Sequence, residues 1–271
     1  MESPGALRAA MDVRLPQPYA IAPMGRLEGR AVLVTGATSG IGRAIARRCA
    51  VEGANVLATG RDAARLAELA QEYPSIAVHP ADVIEADAAD RCVSAAASRF
   101  GRLDGLVHSA GIVRRGEDIR NTTDEQWWLM REANLDATFR LARSCLRQMV
   151  PQRFGSVVLV GSQLAQVAAP GYASYCAVKG GVEALVRALA VDFGPSGIRV
   201  NSLTPGLVQT PLAYVDRPDF DDQIDAIAAR LPLRRIGQPD DMAGPAVFLL
   251  SDDSAWMTGQ SLVVDGGYTI Q

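Results

Sequence analysis

Residues 35–42, Thr35-Gly36-Ala37-Thr38-Ser39-Gly40-Ile41-Gly42, stand between the apolar run Ala31–Thr35 and a helical pattern that opens Arg43-Ala44-Ile45-Ala46. Three glycines at one strand-to-helix turn let the backbone bend tightly and approach a pyrophosphate. The charge of that group would be met by the free N–H groups and the positive dipole end of the helix. A Gly-rich turn alone is equally a turn without a ligand, and the flanking strand and helix are what favour the nucleotide reading. No Lys-Ser or Lys-Thr pair follows Gly42, which argues against a nucleoside-triphosphatase loop. The spacing GxxxGxG also differs from the GxGxxG of the long-chain dinucleotide enzymes.

Working outward, the apolar runs Asn55–Thr59, Ile76–His79, Leu103–Ser109, Ser156–Gly161, Ile198–Leu203 and Ser261–Val264 follow. Helical spacing separates them at 41–52, 62–72, 86–99, 124–149, 175–193 and 239–251. This alternation predicts a doubly wound, Rossmann-type α/β single domain around a central seven-stranded parallel sheet. Continuous apolar runs such as Val157-Val158-Leu159-Val160 fit strands covered by helices on both faces. Residues 1–27 carry Pro4, Pro16, Pro18 and Pro23 without apolar periodicity and read as an N-terminal extension, which leaves 28–271 as the folded domain.

With 48% hydrophobic and 21% charged residues among 271, the chain has the material for a large core. A formal net charge of -3 argues against a nucleic-acid or membrane-surface partner held by positive charge and favours a small-molecule substrate. No run approaches the ~20 apolar residues of a membrane span, and the prolines interrupt any signal peptide, so a cytoplasmic location is expected. Cys49, Cys92, Cys145 and Cys176 are widely spaced, with only His79 and His108 to join them, so neither a metal site nor a disulfide framework is expected.

Of the 27 basic residues a single one, Lys179, is lysine. Coding bias accounts for the arginines but not for the exception. An ammonium is a compact charge that can take part in proton transfer, and arginine cannot replace it there. Lys179 lies four positions after Tyr175, so both side chains share one helix face. A phenol with an ordinary pKa of ~10 is a poor base at neutral pH, and a nearby ammonium is expected to lower that value.

In dinucleotide-binding folds an acid about 20 positions after the glycines holds the adenosine ribose, whereas an arginine suits a 2′-phosphate. Here the second strand ends Ala58-Thr59-Gly60-Arg61-Asp62, with Gly60 where the acid is expected and Arg61 next to it. This favours NADP(H). NAD is kept open by Asp62, although an N-cap role suits that residue better.

TGATSGIG, Tyr175-Cys176-Ala177-Val178-Lys179 and Asp265-Gly266-Gly267, in this order and placing, resemble the short-chain dehydrogenase/reductase family in its branch of about 250 residues. The resemblance covers roughly residues 28 to 270. It implies catalysis by Asn134, Ser162, Tyr175 and Lys179, in which Tyr175 exchanges a proton with the substrate oxygen, Ser162 steadies that oxygen and Asn134 holds a relay water beside Lys179. It implies cofactor contacts at Gly36, Thr38, Ser39, Gly40, Ile41, Gly42, Arg61, Asp82, Val83, Ser109, Ala110, Gly111, Tyr175, Lys179, Pro205, Gly206, Val208 and Thr210. Substrate contacts are expected at Ser162, Gln163, Tyr172, Tyr175 and Leu207, beneath a lid at about 207–235.

Where the family usually has an asparagine pair before Ala-Gly, this chain has His108-Ser109, and a structural hydrogen bond by His108 is the simpler expectation than a catalytic base. The acidic residues of the lid segment read as a solvated face, and the pocket residues carry no charge that names a substrate. The whole implies an NADP(H)-preferring oxidoreductase interconverting a ketone and a secondary alcohol. The alternatives are an NAD-dependent alcohol dehydrogenase working oxidatively or a non-catalytic nucleotide-binding scaffold. A homotetramer, with a dimer as fallback, is the expected assembly.

Overall fold

The seven apolar runs form one fully parallel sheet in a computed structural model that describes residues 25–115, 118–217 and 219–271. Its order is β3-β2-β1-β4-β5-β6-β7. The strands are β1 Ala31–Thr35, β2 Asn55–Gly60, β3 Ile76–Pro80, β4 Gly105–His108, β5 Gly155–Val160, β6 Ile198–Pro205 and β7 Ser261–Val264. The chain runs outward from β1 to β3 and then returns to lay β4 on the other side of β1, with Val34 paired to both Ala58 and Val107. The strand order therefore reverses between β1 and β4. A crevice opens at the carboxyl ends of such a pair, where dinucleotides bind in open α/β sheets.

Helices cover both faces, as strands buried on both sides require. On one face α1 (Gly40–Val51) and α8 (Pro239–Leu250) pack Ile45, Cys49, Val247 and Leu250 against Val32, Val34 and Val56. On the other face α3 (Ala88–Phe100), α5 (Ala137–Gln152) and α6 (Ala173–Phe193) pack Cys92, Leu141, Met149 and Val186 against Leu33, Leu106, Val157 and Leu159. The α2 helix (Ala63–Glu72) completes the first crossover pair. No helix among the described residues is long and apolar enough to cross a membrane.

Two local readings of the sequence need correction, and a third gains detail. Residues 1–24 of the expected extension lie outside the described residues, but Leu27, assigned to it, is fully buried in the core. Its neighbour Arg26 is ion-paired to Glu52, so the fold begins before residue 28. The helix expected over 124–149 is interrupted: α4 (Asp124–Arg131) passes through a π-helical turn at Glu132–Asp136 before α5 begins. The lid segment contains a helix of its own, α7 (Phe220–Ala228), whose Phe220 seals a small cluster with Leu231 and Ile236.

Candidate active site

Thr35 ends β1, and the glycine loop turns directly into α1. Gly36 has φ +69°, and a Cβ there would stand 2.9 Å from the Ala110 nitrogen of the loop after β4. A Cβ on Gly42 would lie 2.4 Å from the Gly36 carbonyl oxygen. The loop is thus folded onto itself as only glycines permit. Ser39 precedes α1 without capping it by its side chain, so the first N–H groups of the helix are left for an external acceptor. A free donor set and a cradle without side chains fit the pyrophosphate of a dinucleotide.

At the end of β2, Arg61 is largely exposed and its nearest carboxylate, Asp82, is 4.0 Å away. Asp62 accepts a hydrogen bond from the Arg65 N–H and caps α2, which is the N-cap role its position suggested. The carboxylate that could bind a ribose is therefore engaged at the helix start. Asp82 accepts from the Ile84 N–H at the end of β3, with Val83 between them.

The His108-Ser109 departure has a clear structural account. His108 is buried, and its Nδ1 lies 2.8 Å from Thr35 Oγ1, which also accepts the Ala110 N–H. This ties β1 to the β4 turn, with Ser109, Ala110 and Gly111 facing the crevice between them. Burial first, and then the charge of Lys179, push the imidazole down to about 3, so His108 is a neutral structural group.

The four residues expected to act together do converge. Ser162 follows β5, its hydroxyl accepts from the Leu164 N–H at 3.1 Å, and it lies close enough to the Tyr175 phenol to favour the ionised form. Tyr175 and Lys179 lie on the first turns of α6. Asn134 sits within the π-helical turn, buried, where its amide nitrogen donates to the Met130 carbonyl at 3.0 Å and its Oδ1 accepts from the Ile112 N–H at 3.3 Å. A π turn leaves a backbone carbonyl without its usual partner, and the Asn134 amide supplies one. The same Oδ1 would be 2.7 Å, and Lys179 Nζ 3.9 Å, from a Cβ on Gly111. Asn134 and Lys179 thus border one point that only glycine leaves open.

One electrostatic expectation is overturned. Lys179 donates to the Val160 carbonyl at 2.9 Å and holds its ammonium 5.7 Å from the Tyr175 ring centre. Loss of solvation pushes the phenol up to about 12, and the Ser162 hydrogen bond offsets only part of that. The ammonium is itself pushed down to about 8 by burial, against the attraction of Glu183. Burial therefore decides the direction at the phenol, which is up and not down.

Sequence reasoning missed Glu183, although it repeats the four-residue step from Tyr175 to Lys179 along one helix face. This buried carboxylate accepts from Ser202 at 2.7 Å, from Thr204 at 3.0 Å and from Ser261. It therefore clamps α6 to the ends of β6 and β7 and fixes the helix that carries Tyr175.

Pro205 ends β6, and Gly206 leads into a loop in which Val208 is buried and bridged to Gly237. Thr210 Cγ2 would be 3.0 Å from a Cβ on Gly40, so the loop closes against the phosphate turn. Gln163 keeps a buried side-chain oxygen without a partner beside Gly206, whereas Leu207 packs into the Phe220 cluster. Tyr172 stacks edge-on to Tyr175 with ring centres 6.4 Å apart. Its hydroxyl accepts from Arg115 at 2.7 Å and from Arg217 at 3.1 Å, two residues absent from the sequence-based site.

Comparison with known proteins agrees with this architecture. The sequence model of the family described as enoyl-(acyl carrier protein) reductase matches residues 36–269. D-threitol dehydrogenase of Mycolicibacterium smegmatis is 37% identical, over 91% of this chain and 95% of its own. L-rhamnose 1-dehydrogenase (NAD(P)(+)) of Azotobacter vinelandii is 37% identical, over 88% and 96%. A solved structure of a candidate NAD(P)-dependent gluconate 5-dehydrogenase from Beutenbergia cavernae, with NADP bound at low occupancy, superposes with a TM-score of 0.85. It is 38% identical and covers 90% of this chain and 98% of that one.

Proposed function

Since the chain belongs to the short-chain dehydrogenase/reductase family and is an NAD(P)-dependent oxidoreductase of CH–OH and C=O groups, we propose that it prefers NADP(H) and interconverts a secondary alcohol and a ketone on a small to medium organic molecule, with Tyr175 as general acid and base. The observation that carries this reading is the gathering of Tyr175, Lys179 and Asn134 around the Gly111 turn after β4, with Ser162 at the end of neighbouring β5. When bound, the nicotinamide supplies or receives the hydride. The glycine turn and the N-terminus of α1 hold its pyrophosphate, Arg61 holds the 2′-phosphate, and the Pro205–Thr210 loop covers the nicotinamide end.

Ser162 orients the substrate oxygen, and Tyr175 gives that oxygen a proton in reduction or takes it in oxidation. Lys179 and Asn134 supply the proton path behind it, and Lys179 also contacts the nicotinamide ribose. The named relatives that act on a polyol and a sugar support a hydroxylated substrate.

We further propose a cytoplasmic homotetramer, or failing that a dimer. Support comes from the apolar groove on α5 and α6, where Phe139, Leu146, Leu189 and Phe193 lie together. The functional test follows nicotinamide absorbance with a panel of ketones, using NADPH and NADH in parallel. Wild type is expected to favour NADPH by at least about tenfold in kcat/KM and to lose that preference in Arg61→Ala, since a guanidinium–phosphate pair is worth this much. Equal use of both cofactors by wild type, or indifference to Arg61→Ala, would remove the NADP assignment. Mass in solution reads the assembly.

A further inference from the structure

Resting on the oxidoreductase reading above, we propose that the substrate is a carboxylate-bearing hydroxy or oxo acid, and that Arg115 and Arg217 bind its carboxylate beside Tyr175. The two arginines come from different sides of the cleft, Arg115 from the segment after β4 and Arg217 from the segment before α7. Both point at one atom: the Tyr172 hydroxyl accepts from Arg115 Nε at 2.7 Å and from Arg217 at 3.1 Å. Two half-buried guanidiniums share a single hydroxyl oxygen, an arrangement that a bound anion would relieve, and the adjacent Asp216 carboxylate, among the described residues, accepts only from the Arg115 backbone N–H and from Arg114. The Arg217 Nε is buried without any partner. Among the described residues neither side chain is paired with a carboxylate, whereas Arg114 beside them is, to Asp216 at 3.6 Å.

The arginines are held by rings, Arg115 over Tyr172 at 5.6 Å and Arg217 over Phe220 at 5.4 Å. Such stacking fixes the planar fork but leaves its charge unmet. Arg115 lines a cavity of about 420 Å³ whose walls also include Thr122, Gln126 and Ser174. Thr122, Gln126 and Ser174 offer hydrogen bonds to substrate hydroxyls. Among the described residues Arg114 is met by Asp216, which leaves Arg115 and Arg217 as the pair placed to take a carboxylate. Because Tyr172 stacks on Tyr175 at 6.4 Å, the anion would be held next to the reacting carbon on the same small molecule.

The test compares matched pairs, gluconate with glucitol and threonate with threitol, together with glucitol 6-phosphate. Wild-type kcat/KM is expected to favour each acid over its polyol by at least about tenfold. The acid-to-polyol ratio should fall to about one in Arg115→Ala and in Arg217→Ala, the size of effect expected when a bidentate carboxylate partner is lost. A wild-type ratio of one or less, a ratio unchanged in both variants, or a preference for the phosphate ester would each overturn the inference. Thermal melting reads binding apart from turnover. Gluconate, and not glucitol, should raise the melting temperature of wild type and fail to do so in either variant, while equal shifts by acid and polyol would count against the site. If no compound is turned over but gluconate still stabilises only wild type, the anion site stands and the catalytic reading fails.

Discussion

Lys179 donates its ammonium to the Val160 carbonyl, 2.9 Å away, and stands 5.7 Å from the Tyr175 ring centre. The lysine is therefore a buried charge held by a strand end, and the protein bears a cost for keeping it there. Burial moves its pKa from 10.5 to about 8. The folded protein then binds fewer protons than the unfolded chain between pH 8 and 10.5. Stability from this group is accordingly lowest below pH 8 and recovers as pH rises through that window.

Lys179→Met is expected to abolish turnover while gaining stability relative to wild type at pH 7. The gap should shrink by up to ~3 kcal/mol as pH rises to 10.5, at ~1.4 kcal/mol per pKa unit. Urea unfolding midpoints of both proteins at several pH values check this, and a gap constant with pH would contradict the assigned burial cost.

Glu52 carries the opposite sign. Burial pushes this carboxylate up, but hydrogen bonds from Arg26 and Arg48 more than offset it and hold the pKa at about 2, from 4.5. Its contribution is complete above pH 4.5 and is lost as pH falls through 2. Glu52→Gln should destabilise the protein by ~3 kcal/mol at pH 7 and flatten the acid limb of the stability profile. An unchanged melting temperature at pH 7 would show that the corner joining Arg26 to α1 contributes nothing.

Gly42→Ala would bring a Cβ within 2.4 Å of the Gly36 carbonyl oxygen, a backbone atom that cannot rotate aside. The expected result is a loss of ~1–3 kcal/mol in stability together with at least about tenfold weaker binding of NADPH, measured by fluorescence titration. Retained affinity would place the pyrophosphate elsewhere.

The sheet and the glycine turn were legible because each depends on a local property, an apolar run or a residue without a side chain. Tyr175 and Lys179 were legible because helical spacing is local too and because lysine is otherwise missing from the chain. What was hidden depends on direction or on distant segments. The π-helical turn that lodges Asn134 follows from packing against the Ile112 strand exit, and no residue in Glu132–Asp136 announces it. The lowered phenol pKa failed because spacing along a helix does not tell how deeply the fold buries a phenol. Arg115 and Arg217 are ordinary residues in a chain whose cations are almost all arginine, and only the fold brings both to Tyr172.

The central claim, proton exchange at Tyr175, is tested most directly by stopped-flow decay of NADPH absorbance with a ketone at saturation, comparing wild type with Tyr175→Phe. Removing a general acid costs ~10²–10⁴-fold in rate, so the variant is expected to be slower by about 10³-fold while its NADPH affinity stays within about threefold of wild type. A Tyr175→Phe protein that reduces the ketone within tenfold of the wild-type rate would contradict the account.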